Sequence, residues 1–293
     1  MRHTLTAFAA LLACTLTAQY GTVEAKAVTT AQALTTLVVL DNGDSPFNRA
    51  IMDAVKSHWK FTGSYDFIHV RDLAVAPLAV DKIYLMKTVV NDPERHQMTF
   101  VSLVQGWKQK KGETMEAGAD GAFTTIPGDR VLASIQCDPQ WLADHKATAM
   151  YVIYMKHLQD FLKQVEAGKV IDKATADRLY QGRNRVLRDD MNLMIAADHL
   201  DKSLPDLAAV KAHYTHEVQV GSLAACMEAV AAQDPAVAVT DVVLTGDHKT
   251  KWCFKRIFNA GTGELMYQRD EAALFGKKEG FLDEDLKQLE RAR

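Results

Sequence analysis

"KRIFNAGTGELMYQ", residues 255–268, sets two alternating apolar runs on either side of Ala-Gly-Thr-Gly. Alternation with a period of two marks a strand, and glycines between two such runs supply the positive-φ conformations of a tight reversal. Extended upstream to Trp252, the stretch places Cys253, Lys255 and Ile257 on one face and Trp252, Phe254, Arg256 and Phe258 on the other. It reads as a β-hairpin with Gly261 and Gly263 at positive φ and with no catalytic residue in the turn.

Working outward, the preceding residues supply a β-α-β beginning for this hairpin. "NLMIAA" (192–197) and "HEVQV" (216–220) read as strands, "LPDLAAVKAHY" (204–214) and "SLAACMEAVAAQ" (222–233) as helices, the latter capped by Ser222, and "AVAVTDVVLT" (236–245) as the strand before the hairpin. The first half has the same grammar. "TLVVLDN" (36–42) is a β-branched strand, and Ser45 and Pro46 form a helix start. Phe47, Ile51, Ala54, Val55 and Trp59 then recur at helical steps, and "YDFIHV" (65–70) alternates again. "KIYLMKTVV" (82–90) and "TFVSLVQGW" (99–107) follow as a hairpin with a medium loop. A Gly-rich stretch, 112–129, reads as an exposed excursion before the strand "VLASIQC" (131–137).

Between the halves the period becomes helical. Residues 142–168 form a long amphipathic helix stopped at Gly168, and 173–190 a second helix interrupted near Gly182. The fold expected is α/β (α+β), with two similar β-α-β-plus-meander lobes, an internal repeat, joined by a helical pair. The boundaries are 1–25 for a signal peptide, 26–140 for the first lobe, 141–190 for the helical connection, 191–275 for the second lobe and 276–293 for a polar, helical tail.

The 293 residues, 48% apolar and 24% charged, suffice for a sizeable core, and a net charge of −3 spread without long blocks gives no electrostatic footprint for nucleic acid. Arg2 and His3 precede the apolar run "LTAFAALLACTLTA" (5–18), followed by small residues. That is the layout of an export signal, with cleavage expected after Ala25 or Ala27 and a periplasmic or secreted product. A competing reading takes "LLAC" (11–14) as a lipobox with Cys14 lipidated. No later run of ~18 apolar residues predicts an integral membrane span. Cys137, Cys226 and Cys253 lack a CxxC spacing and read as buried apolar residues, with one bridge plus a free thiol left open.

The order "HEVQV", helix, "AVAVTDVVLT", "CFKRIFNAGTGELMYQ" resembles the lobe shared by the TolB amino-terminal domain and by CsgG- and LpoB-like envelope lipoproteins. There the last hairpin carries an Asp/Asn-x-x-Thr-Gly turn and a strand opening with Glu. Asn259, Thr262, Gly263 and Glu264 fill those places. "LVVLDN" with "YDFIHV" resembles the opening of the same lobe less distinctly. The resemblance covers 60 to 75 residues of each half. It implies an accessory or assembly role in the cell envelope and transfers no catalytic residue or cofactor.

Candidate chemistry is sparse. Asp41 and Asp44 lie at a strand end, where α/β sheets place phosphate and metal chemistry, but DNGD before Ser-Pro is also a turn and cap. His213 and His216 are near each other without a third ligand at a metal spacing. Cys253, with His248 upstream, sits inside a strand, and "GWKQKKGE" (106–113) is either a partner-binding lysine cluster or a solvated hairpin end. GxGxxG, GxxxxGKS and GxSxG are all missing from the sequence. Two function classes follow: a non-enzymatic envelope or secreted binding or scaffold protein contacting another envelope protein or a cell-wall component, and a hydrolase or metal-dependent enzyme using Asp41, Asp44 and a distant histidine. No catalytic, cofactor-binding or metal residue is assigned.

Overall fold

A computed structural model describes residues 20–75, 78–110, 113, 115–138, 148–247 and 249–293. Two five-stranded mixed sheets share one strand order. The first contains β1 (Thr35–Leu40), β2 (Ser64–His69), β3 (Lys82–Asp92), β4 (His96–Gln105) and β5 (Val131–Cys137), ordered β2-β1-β3-β4-β5. The second contains β6 (Asn192–Ala196), β7 (Val218–Gly221), β8 (Val237–Gly246), β9 (Thr250–Asn259) and β10 (Leu265–Leu274), ordered β7-β6-β8-β9-β10. β1 pairs in parallel with β2 and β3, β6 in parallel with β7 and β8, and the remaining ladders are antiparallel. The parallel pairs need crossovers, which the helices provide; the antiparallel ones need only hairpins. The α/β fold with two similar lobes therefore stands, with β1 and β6 in equivalent places.

The helices are α1 (Ala25–Gln32), α2 (Pro46–His58), α3 (Val70–Val75), α4 (Thr148–Glu166), α5 (Lys173–Asp190), α6 (Leu207–Lys211), α7 (Leu223–Ala232) and α8 (Asp283–Glu290). Caps chosen by sequence are formed: Ser45 Oγ accepts from Asn48 N at 3.1 Å and Ser222 Oγ from Ala225 N at 3.2 Å. The central helix α4 buries Met150, Ile153, Tyr154, Leu158, Phe161, Leu162 and Val165. They share one apolar cluster with Val38, Leu85 and Ile135 of the first sheet and Phe258 and Leu265 of the second. The helical connection is thus a common layer of both lobes. His157 on the same face is buried and held neutral, since burial lowers its pKa to about 4.

Several local expectations change. Helix α5 runs unbroken through Gly182, whose missing side chain would point into open space, so the glycine costs about 1 kcal/mol of propensity without ending the helix. β3 and β4 continue to Asp92 and His96, leaving a short turn instead of a medium loop. Asp92 Oδ1 accepts from the amides of Glu94 and Arg95, both at 2.8 Å, and replaces ladder bonds locally. The expected exposed excursion is partly core: Ala122 and Phe123 are buried, and Phe123 exchanges backbone bonds with Lys87 and Val89 on the stretch of β3 that outruns β1.

Residues before the expected cleavage points also belong to the fold. Tyr20 is 6% exposed, and Gly21 bridges to Ala133 beside β5. Thr22 N donates to Leu132 O at 3.1 Å, and α1 buries Val28 and Ala31 completely. The Tyr20 hydroxyl donates to Asp177 of α5 at 2.5 Å and accepts from Gln268 of β10, so one side chain joins the edge of the first sheet to the second lobe.

In the hairpin of residues 255–268, only Gly263 takes positive φ, at 71°. Gly261 is required for another reason: a Cβ there would lie 2.7 Å from Pro235 N and 2.8 Å from Gln233 O. Asn259 Oδ1 closes the turn by accepting from the amides of Gly261 and Thr262, both at 2.8 Å. Gly263→Val and Gly261→Val are each expected to cost about 1–3 kcal/mol in thermal melts, the first through strain and the second through backbone collision. Thr262→Ala should cost far less; equal losses for all three would remove the turn's role.

Candidate functional site

The carboxyl end of β1 brings Asp41 against Lys87 of β3, with Oδ1 and Nζ 2.6 Å apart, while Oδ2 accepts from Ser45 Oγ at 2.9 Å. Lys87 is 4% exposed, donates to the Asp120 carbonyl and lies 4.5 Å from the centroid of the Phe47 ring. The loop carrying Ala122 and Phe123 closes over this place. Gly121 passes so near that a Cβ would stand 2.6 Å from Asp41 Oδ1. The carboxylate is thereby committed to a charge partner and a cap. Asp44 points elsewhere: it is exposed and paired with Arg49 at 2.5 Å. His69 reaches Asp41, but Nδ1 contacts the backbone carbonyl, at 2.8 Å. Asp41, Asp44 and this histidine do not present their side chains to one point.

The other candidates are also separate. His216 Nε2 lies 3.8 Å from Glu290 and its ring packs against Tyr214. Among the described residues no group of three or more His, Cys, Asp or Glu side chains is arranged to hold a metal. Cys137, Cys226 and Cys253 are free and buried, and burial pushes their thiols up to about 12, 11 and 12, far from the thiolate needed for nucleophilic work. His248 lies outside the described residues, as does Cys14. In 106–113, Trp107 is buried and its Nε1 donates to Glu113 Oε1 at 2.9 Å, so the described part of this stretch folds around an indole. Lys111 and Gly112 lie outside the described residues.

The concave site that the tertiary structure does create was not signalled by any motif. A groove runs between α5, the edge strand β10 and α8, with an inner hollow of about 320 Å³ and an outer one of about 590 Å³ that share Gln181, Asn184 and Gln288. The inner part is bounded by Lys173, Asp177 and Tyr180 on α5 and by Gln268, Arg269 and Asp270 on β10. α5 supplies its wall because Asp172 caps the helix start, accepting from Thr175 N at 2.7 Å, and because the buried stripe of Ala176, Tyr180, Asn184 and Leu187 fixes the helix, with Tyr180 and Asn184 among the residues lining the groove. An exposed glutamine on such a helix looks like a solvated face in sequence, and the strand whose alternation is quoted as far as Gln268 continues as β10 to Leu274.

Charges in the inner groove are neutralised internally. Lys173 pairs with Asp177 at 2.5 Å, Asp270 with Arg95 at 3.3 Å, and Arg269 with Glu284 and Asp285, both at 3.3 Å. Burial, reinforced by the bond to Asp177, raises the Tyr20 phenol far above its ordinary range, so it remains a neutral donor. Hydrogen-bonding capacity remains on neutral groups. Gln181 and Gln288 have no side-chain partner among the described residues, and the Tyr180 hydroxyl and Asn184 Oδ1 are buried without one.

The fold and this groove define a two-lobed α/β protein with a polar cleft on its second lobe. No protein-family model, no curated protein and no solved structure matches the chain.

Proposed function

We propose that the chain is an exported, non-enzymatic binding or scaffold protein whose partner is another envelope protein or a cell-wall component. The observation that carries this reading is the open polar groove, in which unengaged amides line a cleft while every charge of its inner part already has a partner. Such a lining offers recognition by hydrogen bonds. The hairpin residues Asn259, Thr262, Gly263 and Glu264, with their likeness to envelope lobes, agree with it. Among the described residues no helix is long and apolar enough to cross a membrane. The test is a photo-crosslinking amino acid at Gln181, with Ser64 on the edge strand β2 as control, in cells separated into cytosolic and envelope fractions. The expected result is an envelope-located chain and an adduct specific to Gln181; a cytosolic chain, or equal adducts at both positions, would overturn it.

Export carries its own expected outcome. Cleavage after Ala25 or Ala27 would remove Tyr20 from the core and cut into α1, so we place processing upstream of Tyr20. The mass of the exported chain should include Tyr20, and the same spectrum shows whether Cys14 carries lipid. A mature chain beginning at Lys26 or Val28 would refute this placement.

A further inference from the structure

We infer that the groove between α5, β10 and α8 takes a neutral, hydroxyl-rich chain of the oligosaccharide class; this rests on the reading of the groove as a binding site. Three observations narrow the ligand. First, the ion pairs of Lys173, Arg269 and Asp270 leave the inner groove without an uncompensated charge, so an anionic or cationic ligand would have to break a pair before gaining one. Second, the groups left free are of one kind. Gln181 and Gln288 each carry an amide with donors and an acceptor side by side, a planar arrangement that matches neighbouring hydroxyls, which both give and take hydrogen bonds. Third, two further neutral groups at the wall, the hydroxyl of Tyr180 and Oδ1 of Asn184, stand in residues 1% and 4% exposed with no hydrogen-bond partner among the described residues. Buried polar atoms without partners are uncommon in folded proteins, and these two belong to residues that line the cleft.

An extended peptide also presents neutral hydrogen-bonding groups, and β10 is an edge strand. Specific peptide grooves, however, offer pockets for alternate side chains, whereas this one is bordered by amides and paired charges. Its edge is also engaged at one end, where Arg183 Nη1 donates to Leu265 O at 3.3 Å. The two connected hollows are of the size that encloses small ligands, and their continuity past Gln181 and Gln288 suits a chain of several units. Arg291, which lines the outer hollow, is the lining cation without an ion pair among the described residues.

Calorimetric titration of the folded chain with cellohexaose and chitohexaose, beside a neutral Ser/Thr-rich octapeptide, tests the assignment. Binding of at least one hexasaccharide is expected, with Kd changing less than ~2-fold between 50 mM and 500 mM salt, because no charge is exchanged on binding. Gln181→Ala and Gln288→Ala should each weaken it by ~10-fold, the loss of one or two neutral hydrogen bonds, while their melting temperatures stay at the wild-type value because both side chains are exposed. Binding of neither saccharide, a steep salt dependence, preference for the octapeptide, or binding that survives both substitutions would each overturn the proposal. A groove-specific crosslink to an envelope component with no saccharide binding would sink this assignment while leaving the binding role in place.

Discussion

Lys255→Met is expected to lower stability by about 3–5 kcal/mol, the range for removing one partner of a buried charge pair and leaving the other uncompensated. Lys255 is wholly buried in the middle of β9, with Nζ 2.5 Å from Asp285 of α8 and 2.6 Å from Glu271 of β10. Asp285 is also wholly buried. It accepts from the Tyr267 hydroxyl at 2.6 Å and, capping α8, from Leu282 N at 2.8 Å. Losing the ammonium leaves this buried carboxylate with the more distant Arg269, 3.3 Å away, as its cation, so the expected fall in melting temperature is on the order of 10 °C. The pH dependence supplies a second readout. Burial alone would raise the Glu271 carboxyl, but hydrogen bonds from Lys255 and Lys278 outweigh it and hold the pKa below its usual value. A depressed folded pKa contributes stability that is present above the ordinary glutamate range and lost as pH falls through the folded value. Melts from pH 7 to pH 3 should show this acid loss in the wild type and less of it in Lys255→Met. Identical profiles, or a melting change under 2 °C, would refute the role assigned to Lys255.

Arg256→Met is expected to cost a similar about 3–5 kcal/mol for a different pair. Its Nη2 lies 2.6 Å from Oδ2 of Asp241, directly opposite on β8, and Asp241 is wholly buried. Burial raises the Asp241 carboxyl and outweighs the attraction of Arg256. The sign is therefore the reverse of that at Glu271. The folded state holds the proton more tightly, so this group's contribution favours folding below the ordinary aspartate value and is lost as pH rises through the window up to the folded value. Without the guanidinium that window should extend further upward. Arg256→Met with Asp241→Leu should recover most of the loss, since an apolar pair of similar volume often equals a buried ion pair. A double variant as unstable as the single one would show that the loss came from packing.

These two pairs mark where the lobes differ in chemistry while agreeing in layout. Three residues into the corresponding ladder, Met86 faces Ser102 in the first lobe and Asp241 faces Arg256 in the second. Strand periodicity placed Arg256 and Lys255 on opposite faces of β9, as the structure has them. It gave no sign that both faces are covered, because α8 and Asp285 reach Lys255 from thirty residues further along the chain.

By itself the sequence determined whatever a few adjacent residues can enforce. Alternating runs specify strands, Ser45-Pro46 and Ser222 specify helix starts, and Asn259 with two glycines specifies a reversal, since these depend on local sterics and short-range hydrogen bonds. Two β-α-β beginnings followed by hairpins were therefore legible. The tertiary structure alone decided which polar groups meet and which stay unpaired. Tyr20 reaches Asp177 and Gln268, Asp41 is closed in beside Lys87 under the 118–123 loop, and the groove forms from α5, β10 and α8. None of these has a periodic signature, because the charge compensation and desolvation that define them depend on distances between segments far apart in the chain.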